Sequence, residues 1–507
     1  MRTDHGEAPA PRIAPWLWGM ALLALLPFAV ASIPSMPDWP GHVGRYHVML
    51  AAGRSPLLNH FYVFDWHLVG NLGVDLLVRA IGPSLGAERA AWLITATLPV
   101  LTIAGIVLVA RAADRRVGPA AAIAACLVFG NPLLFGFVNF CLAQALALIA
   151  FAAWIRLRER PVWLHLSVLA PLGFVVWLAH AMGWGALVLL AIGFELERVW
   201  SRRAALVAAI GDAALRGLAL MPPLVATLAW RSGGAGAAFG YGDELLQRKL
   251  MNWVVVLRGG SPVLDIGTVL LLGALVLLLA WRGKWRVDWR IGNGAVLLIL
   301  ACLFMPTTVF ASWGADERLA PLALMMAALA LRWRGTVAGG MRIVRFATLL
   351  FALRIGAIAW GWHTLDAQYR SNLAALDSVP RGSRIAALVL TNGCHAGWRK
   401  TAYPHLPALA IVRRDALVNA EWPMTGAPLL RVIYPLPDAL RYDPSQMIDA
   451  YDCAGRPTAR AIDARLARIG PAQSDYVWML DTQGRTGLWP GHTPLYHDAS
   501  SALYSVR

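Results

Sequence analysis

Apolar runs long enough to cross a bilayer recur along this chain, and no other feature constrains its fold as tightly. A crossing helix needs about twenty apolar residues, and about eleven stretches approach that length. They fall near 15–33, 90–110, 118–137, 140–156, 162–179, 182–197, 206–230, 264–282, 293–311, 320–333 and 344–362. In hydrocarbon a helix satisfies its own backbone hydrogen bonds, so the apolar runs predict helices. Hydrophobic residues make up 58% of the 507 residues, well beyond the share in soluble domains. The expected fold class is mainly α: a polytopic transmembrane helix bundle of about eleven spans, with a small C-terminal α/β domain.

The formal net charge of +16 would point to nucleic acid on a soluble chain. Here no basic stripe is interleaved with aromatics, so no nucleic-acid partner is expected. The basic residues crowd into short loops after the even-numbered runs: "RAADRRVG" (111–118), "RLRERP" (156–161), "ERVWSRRA" (197–204), "RGKWRVDWR" (282–290) and "RWRGTVAGGMR" (332–342). Loops after odd-numbered runs are poorer in arginine. Positive loops stay in the cytoplasm. The N-terminus is therefore expected inside a bacterial-type inner membrane, with the loop 34–89 and everything after 362 outside, in the periplasm. Residues 16–33 read as a retained first span, because the charged start is too weak and the apolar run too long for a cleaved signal peptide. The expected division is a helical domain over 1–362 and an external α/β domain over 363–507.

Within that tail, Leu365, Tyr369, Leu373 and Leu376 share one face of an amphipathic connector. Strands are expected at 384–390, 429–435, 475–481 and 502–507, and a helix over 458–470 that stops at Gly470-Pro471. Cys126, Cys141 and Cys302 lie in apolar runs and read as small buried hydrophobes. Cys394 and Cys453 lie in the external tail and are a disulfide candidate, the alternative being two buried thiols. No internal repeat and no pair of inverted, interrupted halves is visible.

Ionisable residues concentrate at the outer lip of the bundle. "PDWPGHVGRYHVML" (37–50) places Asp38 and His42 four residues apart, on one face if helical, with Arg45 and Tyr46 continuing that side. Charged groups at membrane depth are functional candidates. The structural alternative is that Asp38 caps a helix opening at Trp39-Pro40. Further acids on that side are Asp65, Asp75, Asp243, Glu244, Asp316 and Glu317, and cations there are Arg45, Arg248, Lys249 and Arg318. Asp243, Glu244, Arg248 and Lys249 read best as solvated loop charges. "GADERLAP" (314–321) is stronger because it abuts a span. His180 reads as a hydrogen-bonded interfacial histidine or, less simply, a ligand. The run "RSGGAGAAFGYG" (231–242) has no phosphate-loop spacing and reads as a linker or a mobile flap.

A first span, an external loop opening with an acid, about ten more spans and an external C-terminal domain together resemble the GT-C superfamily of membrane glycosyltransferases. Its members include the protein mannosyltransferases and the aminoarabinose transferase of lipid A. The resemblance implies transfer of a sugar from a polyprenyl-phosphate donor to an acceptor on the periplasmic face. It places the essential acid of the first external loop at Asp38, in "PDWPGH". Many relatives carry paired acids there, whereas this chain has one acid followed by Trp39-Pro40 and His42, a departure that weakens the carry-over of metal binding; the cofactor is unknown, with a divalent metal as the candidate. The chemistry itself asks for a carboxylate to take the acceptor's proton and cations to meet the leaving phosphate. Asp38 is the expected catalytic base, with His42, Arg45, Asp65, Glu317 and Arg318 around substrate. Membrane lipids and a lipid-linked sugar donor are the expected partners. The alternative is a non-catalytic membrane protein or transporter of cell-envelope polysaccharide assembly with a periplasmic binding domain.

Overall fold

A computed structural model of the chain describes residues 13–506 except 115, 232–238, 243, 310–312, 393–397, 423–428, 442–444 and 452–458. Asp243, Cys394, Cys453 and most of the 231–242 run lie outside the described residues.

Each apolar run lies largely on helix among the described residues, and the protein is a multi-pass membrane helix bundle. Five helices are long and apolar enough to cross a membrane: Ala87–Asp114, Val138–Leu157, Val162–Ala179, Pro262–Trp281 and Val337–Ser378. A sixth crossing is formed if Arg203–Leu220 and Pro222–Ala229, bent by 51°, count as one span. The remaining runs are carried by shorter or more polar helices, so the eleven runs exceed the helices that meet the criterion. Proline and glycine explain part of the difference. The run 118–137 breaks into Ala120–Ala125 and Asn131–Phe135, because Gly130 and Pro132 interrupt the helical hydrogen-bond ladder. The first run is likewise split into Ala14–Leu23 and Leu26–Ala29, with Pro27 in the second piece.

Helix Pro262–Trp281 shows the bilayer as solvent. Its buried residues are Asp265, Thr268 and Leu272, while Leu270, Leu271 and Leu277 are exposed. Leucines facing outward lose nothing in lipid, and the polar groups turn inward to find partners. At the bundle centre, Val138–Leu157 packs against Ala87–Asp114, Val162–Ala179 and Ala181–Ser201. Ala181–Ser201 and Trp289–Phe304 meet at Gly193 and Gly294, where a Cβ on Gly193 would strike the Gly294 backbone. Small residues at such crossings let helices approach without a side chain between them.

The arginine-rich loops gather at one end. Strands Trp285–Val287 and Leu331–Trp333 pair antiparallel there. Arg332 bridges Asp114 and Asp288, each at 2.5 Å. Arg158 binds Glu195 and Asp212, each at 2.6 Å, and Arg198 binds Glu159 at 2.6 Å. Arg290 donates to the Ala113 carbonyl and feels the charge of Glu197, which ties the two groups together.

The opposite end carries the loop 34–89 and the tail. The loop holds helices Trp39–Ala51, Pro56–Phe61 and Gly73–Leu85 and the strand Tyr62–Phe64. That strand pairs with Leu430–Val432 from the tail, Tyr62 opposite Val432. The expected boundary at 362 falls inside one continuous helix, Val337–Ala374, whose Tyr369, Leu373 and following Leu376 are buried as the connector pattern required. The tail is a mixed six-stranded sheet around Arg384–Asn392. That strand runs parallel to Tyr476–Leu480, Leu417–Val418 and Met447–Tyr451, and Tyr476–Leu480 is antiparallel to Ser501–Ser505, which pairs with Pro494–His497. The expected helix appears as Ala459–Leu466.

Candidate functional site at the outer lip

Asp38 sits at the start of helix Trp39–Ala51, with Pro40 in the first turn. Its backbone is helical (φ −85°, ψ −16°) and its side chain makes no capping hydrogen bond. A capping Asp normally has extended backbone and accepts from the first-turn amides. This carboxylate is therefore not the cap of its helix. A tight turn presses against it. The Asp38 amide donates to the Phe135 carbonyl at 3.0 Å, and Gly136 adopts φ +102°. A Cβ at Gly136 would lie 3.0 Å from the Trp39 nitrogen and 3.2 Å from the Asp38 Cβ. Glycine is required here for both reasons.

The charge of Asp38 acts on Arg318 and on Lys400. Arg318 is buried, lies 3.8 Å from the Phe137 ring centroid and donates to the Trp313 carbonyl at 2.7 Å. Lys400 reaches in from the tail. Its ammonium donates to Asn131 Oδ1 and stands 4.0 Å from the Phe135 ring centroid. Asn131 in turn donates to Glu317 Oε2 at 2.8 Å. Desolvation pulls the Lys400 pKa down to about 7, against the opposing pull of Glu317 and Asp38 and with Arg258 adding to the fall. Ser35, Lys400 and Arg399 also line a small cleft with Gly259, Gly361, Trp362 and Ile358.

His42 lies one turn after Asp38, packed between Tyr46 (6.2 Å between centroids) and Trp422 (5.1 Å). Trp422 also covers His405 at 4.5 Å. Burial, then Arg45, His405 and Arg318, push the His42 pKa well down, while the Gly136 carbonyl opposes them. A neutral imidazole results, and its buried Nδ1 has no hydrogen-bond partner among the described residues. His405 is held neutral by the same desolvation, at about 4.

The consecutive residues of "ADER" point three ways, as steps of about 100° on a helix require. Asp316 is buried on Lys249 (2.6 Å) and Asn252 (2.9 Å). Glu317 and Arg318 enter the site as described. Lys249, expected in solvent, is instead buried as the partner of Asp316. The structure thus brings Asp38, His42, Glu317 and Arg318 together. Of the other two expected residues, Arg45 is near enough for its charge to act on His42 but is engaged by another carboxylate, and Asp65 lies apart. Arg45 is buried against Asp75 at 2.9 Å, with Asn139 donating to the same carboxylate at 3.1 Å. Asp65 is exposed at the strand edge, 3.6 Å from Arg431. His180 caps helix Ala181–Ser201 by accepting from the Met182 amide at 3.1 Å. Lys400 and Asn131 were not foreseen. "GWRK" reads as ordinary domain surface, and 269 residues separate the pair. Among the described residues no three His, Cys, Asp or Glu side chains gather into a metal-binding group.

No protein-family profile matches the chain, and no curated protein matches it by sequence. Solved structures do match its fold. ArnT from Cupriavidus metallidurans bound to undecaprenyl phosphate is 12% identical, with a TM-score of 0.53 over 98% of each chain. ArnT from the same organism in the apo state is 11% identical, with a TM-score of 0.52 and the same coverage. The likeness to these two ArnT structures is one of fold, and it extends over almost the whole chain.

Proposed function

We propose that this protein is a membrane glycosyltransferase that moves a sugar from a polyprenyl-phosphate donor to an acceptor hydroxyl on the periplasmic face. The observation that carries the reading is the juxtaposition at the lip: one carboxylate, not used as the helix cap, acting on a buried Arg318 from the helical part of the chain and a half-buried Lys400 from the tail. Asp38 takes the proton of the acceptor hydroxyl as its oxygen bonds to the anomeric carbon. The bond from that carbon to the phosphate oxygen breaks, and the electron pair leaves on the lipid phosphate. Lys400 and Arg318 meet that charge. Neutral His42 offers its Nδ1 lone pair to a sugar or acceptor hydroxyl. Glu317 and Asn131 hold Lys400 in place. The fold shared with an undecaprenyl-phosphate-bound ArnT supports a lipid-linked donor.

Native mass spectrometry with undecaprenyl phosphate tests the donor side. Lys400→Met should weaken binding at least about tenfold, the worth of one charge-assisted hydrogen bond. Binding should also fall as pH rises through about 7, where Lys400 loses its proton. The phosphate cannot compensate, since its second ionisation, near pH 6, is complete by then. Equal binding at pH 6 and pH 9 would remove Lys400 from the donor site. In the ligand-free protein the sign is opposite. A lysine with a depressed folded-state pKa makes stability rise with pH between about 7 and the ordinary value of about 10.4.

The side of the membrane is tested separately. A phosphatase reporter fused after Arg507 should be active, following the arginine bias of the loops at the other end. An inactive fusion, paired with an active cytoplasmic-type reporter, would invert the topology and the site with it.

A further inference from the structure

Lys400 belongs to the tail, yet its ammonium works inside the bundle, so something must seat it. Two residues earlier, the Trp398 indole N–H donates to Asp265 Oδ2 at 2.6 Å. Asp265 is buried, and its other oxygen accepts from Arg354 Nε at 2.6 Å. Arg354 then donates to two backbone carbonyls, Phe129 and Leu257, each at 2.6 Å. Both choices bear on Lys400. Phe129 lies two residues before Asn131, which receives the Lys400 ammonium. Leu257 precedes Arg258, whose Nε donates to the Trp398 carbonyl at 3.0 Å. The carboxylate Asp265 also accepts from the Gly259 amide at 2.9 Å. One buried ion pair therefore touches three segments beside the lysine: the tail bend bearing Trp398, the turn leading to Asn131 and the turn bearing Arg258.

A buried ion pair adds little net stability over an apolar pair, so its retention calls for another account. A buried polar network fixes the arrangement of the groups it joins, and here every contact but one is made: Arg354 Nη1 has no hydrogen-bond partner among the described residues, while its Nε and Nη2 are both engaged. We propose that Trp398, seated on Asp265 and Arg354, is the positioning residue that locks the tail into the bundle mouth and holds the Lys400 ammonium against Asn131. The chemical role of Lys400 rests on the donor reading above; its seating by Trp398 does not.

Trp398→Phe in the full-length protein removes the indole N–H and keeps an aromatic ring. Two readouts are taken: the titration of Lys400 by competitive acylation with acetic anhydride and mass spectrometry, and undecaprenyl phosphate affinity. Burial sets the wild-type titration, with Arg258 adding to the fall and Glu317 and Asp38 opposing it. Once Lys400 is returned to water and away from Arg258, the lost desolvation outweighs the lost carboxylates, and it should titrate at least about one pH unit higher, towards the ordinary value near 10.4. Undecaprenyl phosphate affinity should fall about tenfold. Trp478→Phe is the control, because Trp478 is buried in the tail sheet and its Nε1 makes no hydrogen bond. A Trp398→Phe protein whose Lys400 titrates like wild type overturns the proposal. So does a Trp478→Phe protein that shifts Lys400 equally, since loosening of the tail would then be the cause. If the wild type fails to bind undecaprenyl phosphate while Lys400 still shifts in Trp398→Phe alone, the donor reading falls and the positioning role stands.

Discussion

Asp38→Asn should lower sugar transfer at least about a hundredfold in protein that folds and inserts as the wild type does. The substitution keeps the size of the side chain and removes its charge. Helix Trp39–Ala51 should not suffer, because the Asp38 carboxylate makes no capping bond that could be lost, and asparagine caps as well as aspartate. The thermal midpoint is expected within a few degrees of wild type, the range of a change under about 1 kcal/mol. Lys400 provides an internal check. The Asp38 charge raises its pKa, so Asp38→Asn should move the Lys400 titration lower still. Glu317→Gln and Asp65→Asn are the comparisons that show whether another acid carries the proton. Transfer can be followed as the release of free undecaprenyl phosphate from a lipid-linked sugar in proteoliposomes. Full activity in well-folded Asp38→Asn would refute the base role and favour the non-catalytic alternative, unless one of the other acids proved indispensable.

The part of this site legible in the sequence is the part that depends on local order. Asp38 follows an apolar run directly and His42 lies one turn later, so spacing alone puts them on one face. "GADER" abuts a span, and the helical step separates its three charges without knowledge of the fold. What the sequence hides is pairing at long range. Arg45 and Lys249 look alike as loop cations, but each meets a buried carboxylate, Asp75 and Asp316, through packing that no periodicity encodes. Lys400 enters through a tail whose composition reads as a separate domain. The same limit applies to the fold. Long strands such as Arg384–Asn392 and Tyr476–Leu480 stand out as apolar runs, whereas Leu417–Val418 is two residues long and Pro494–His497 opens on a proline. Fewer helices are long and apolar enough to cross a membrane than there are apolar runs, in part because Pro and Gly break runs that composition alone treats as continuous.

The largest loss of stability is expected at Arg45→Met. Asp75 is fully buried, and Arg45 Nη2 is its one cationic contact, at 2.9 Å. Without it the carboxylate keeps a single side-chain donor, Asn139 at 3.1 Å, and its Oδ1 already lacks a protein partner. Removing one member of a buried ion pair costs about 3–5 kcal/mol, because the other charge is left desolvated and unpaired. In a membrane protein this should appear as a thermal midpoint lowered by many degrees and as a loss of monodisperse protein in detergent. The double change Arg45→Met with Asp75→Asn should recover most of the loss, since it removes the stranded charge and retains an acceptor for Asn139. The sequence also admits Arg45 as a phosphate-binding residue, and the two roles separate cleanly. A stable Arg45→Met protein that no longer binds undecaprenyl phosphate would assign Arg45 to the donor site. An unstable one rescued by Asp75→Asn, with donor binding restored, would assign it to the scaffold that holds helix Trp39–Ala51, and with it Asp38 and His42, in place.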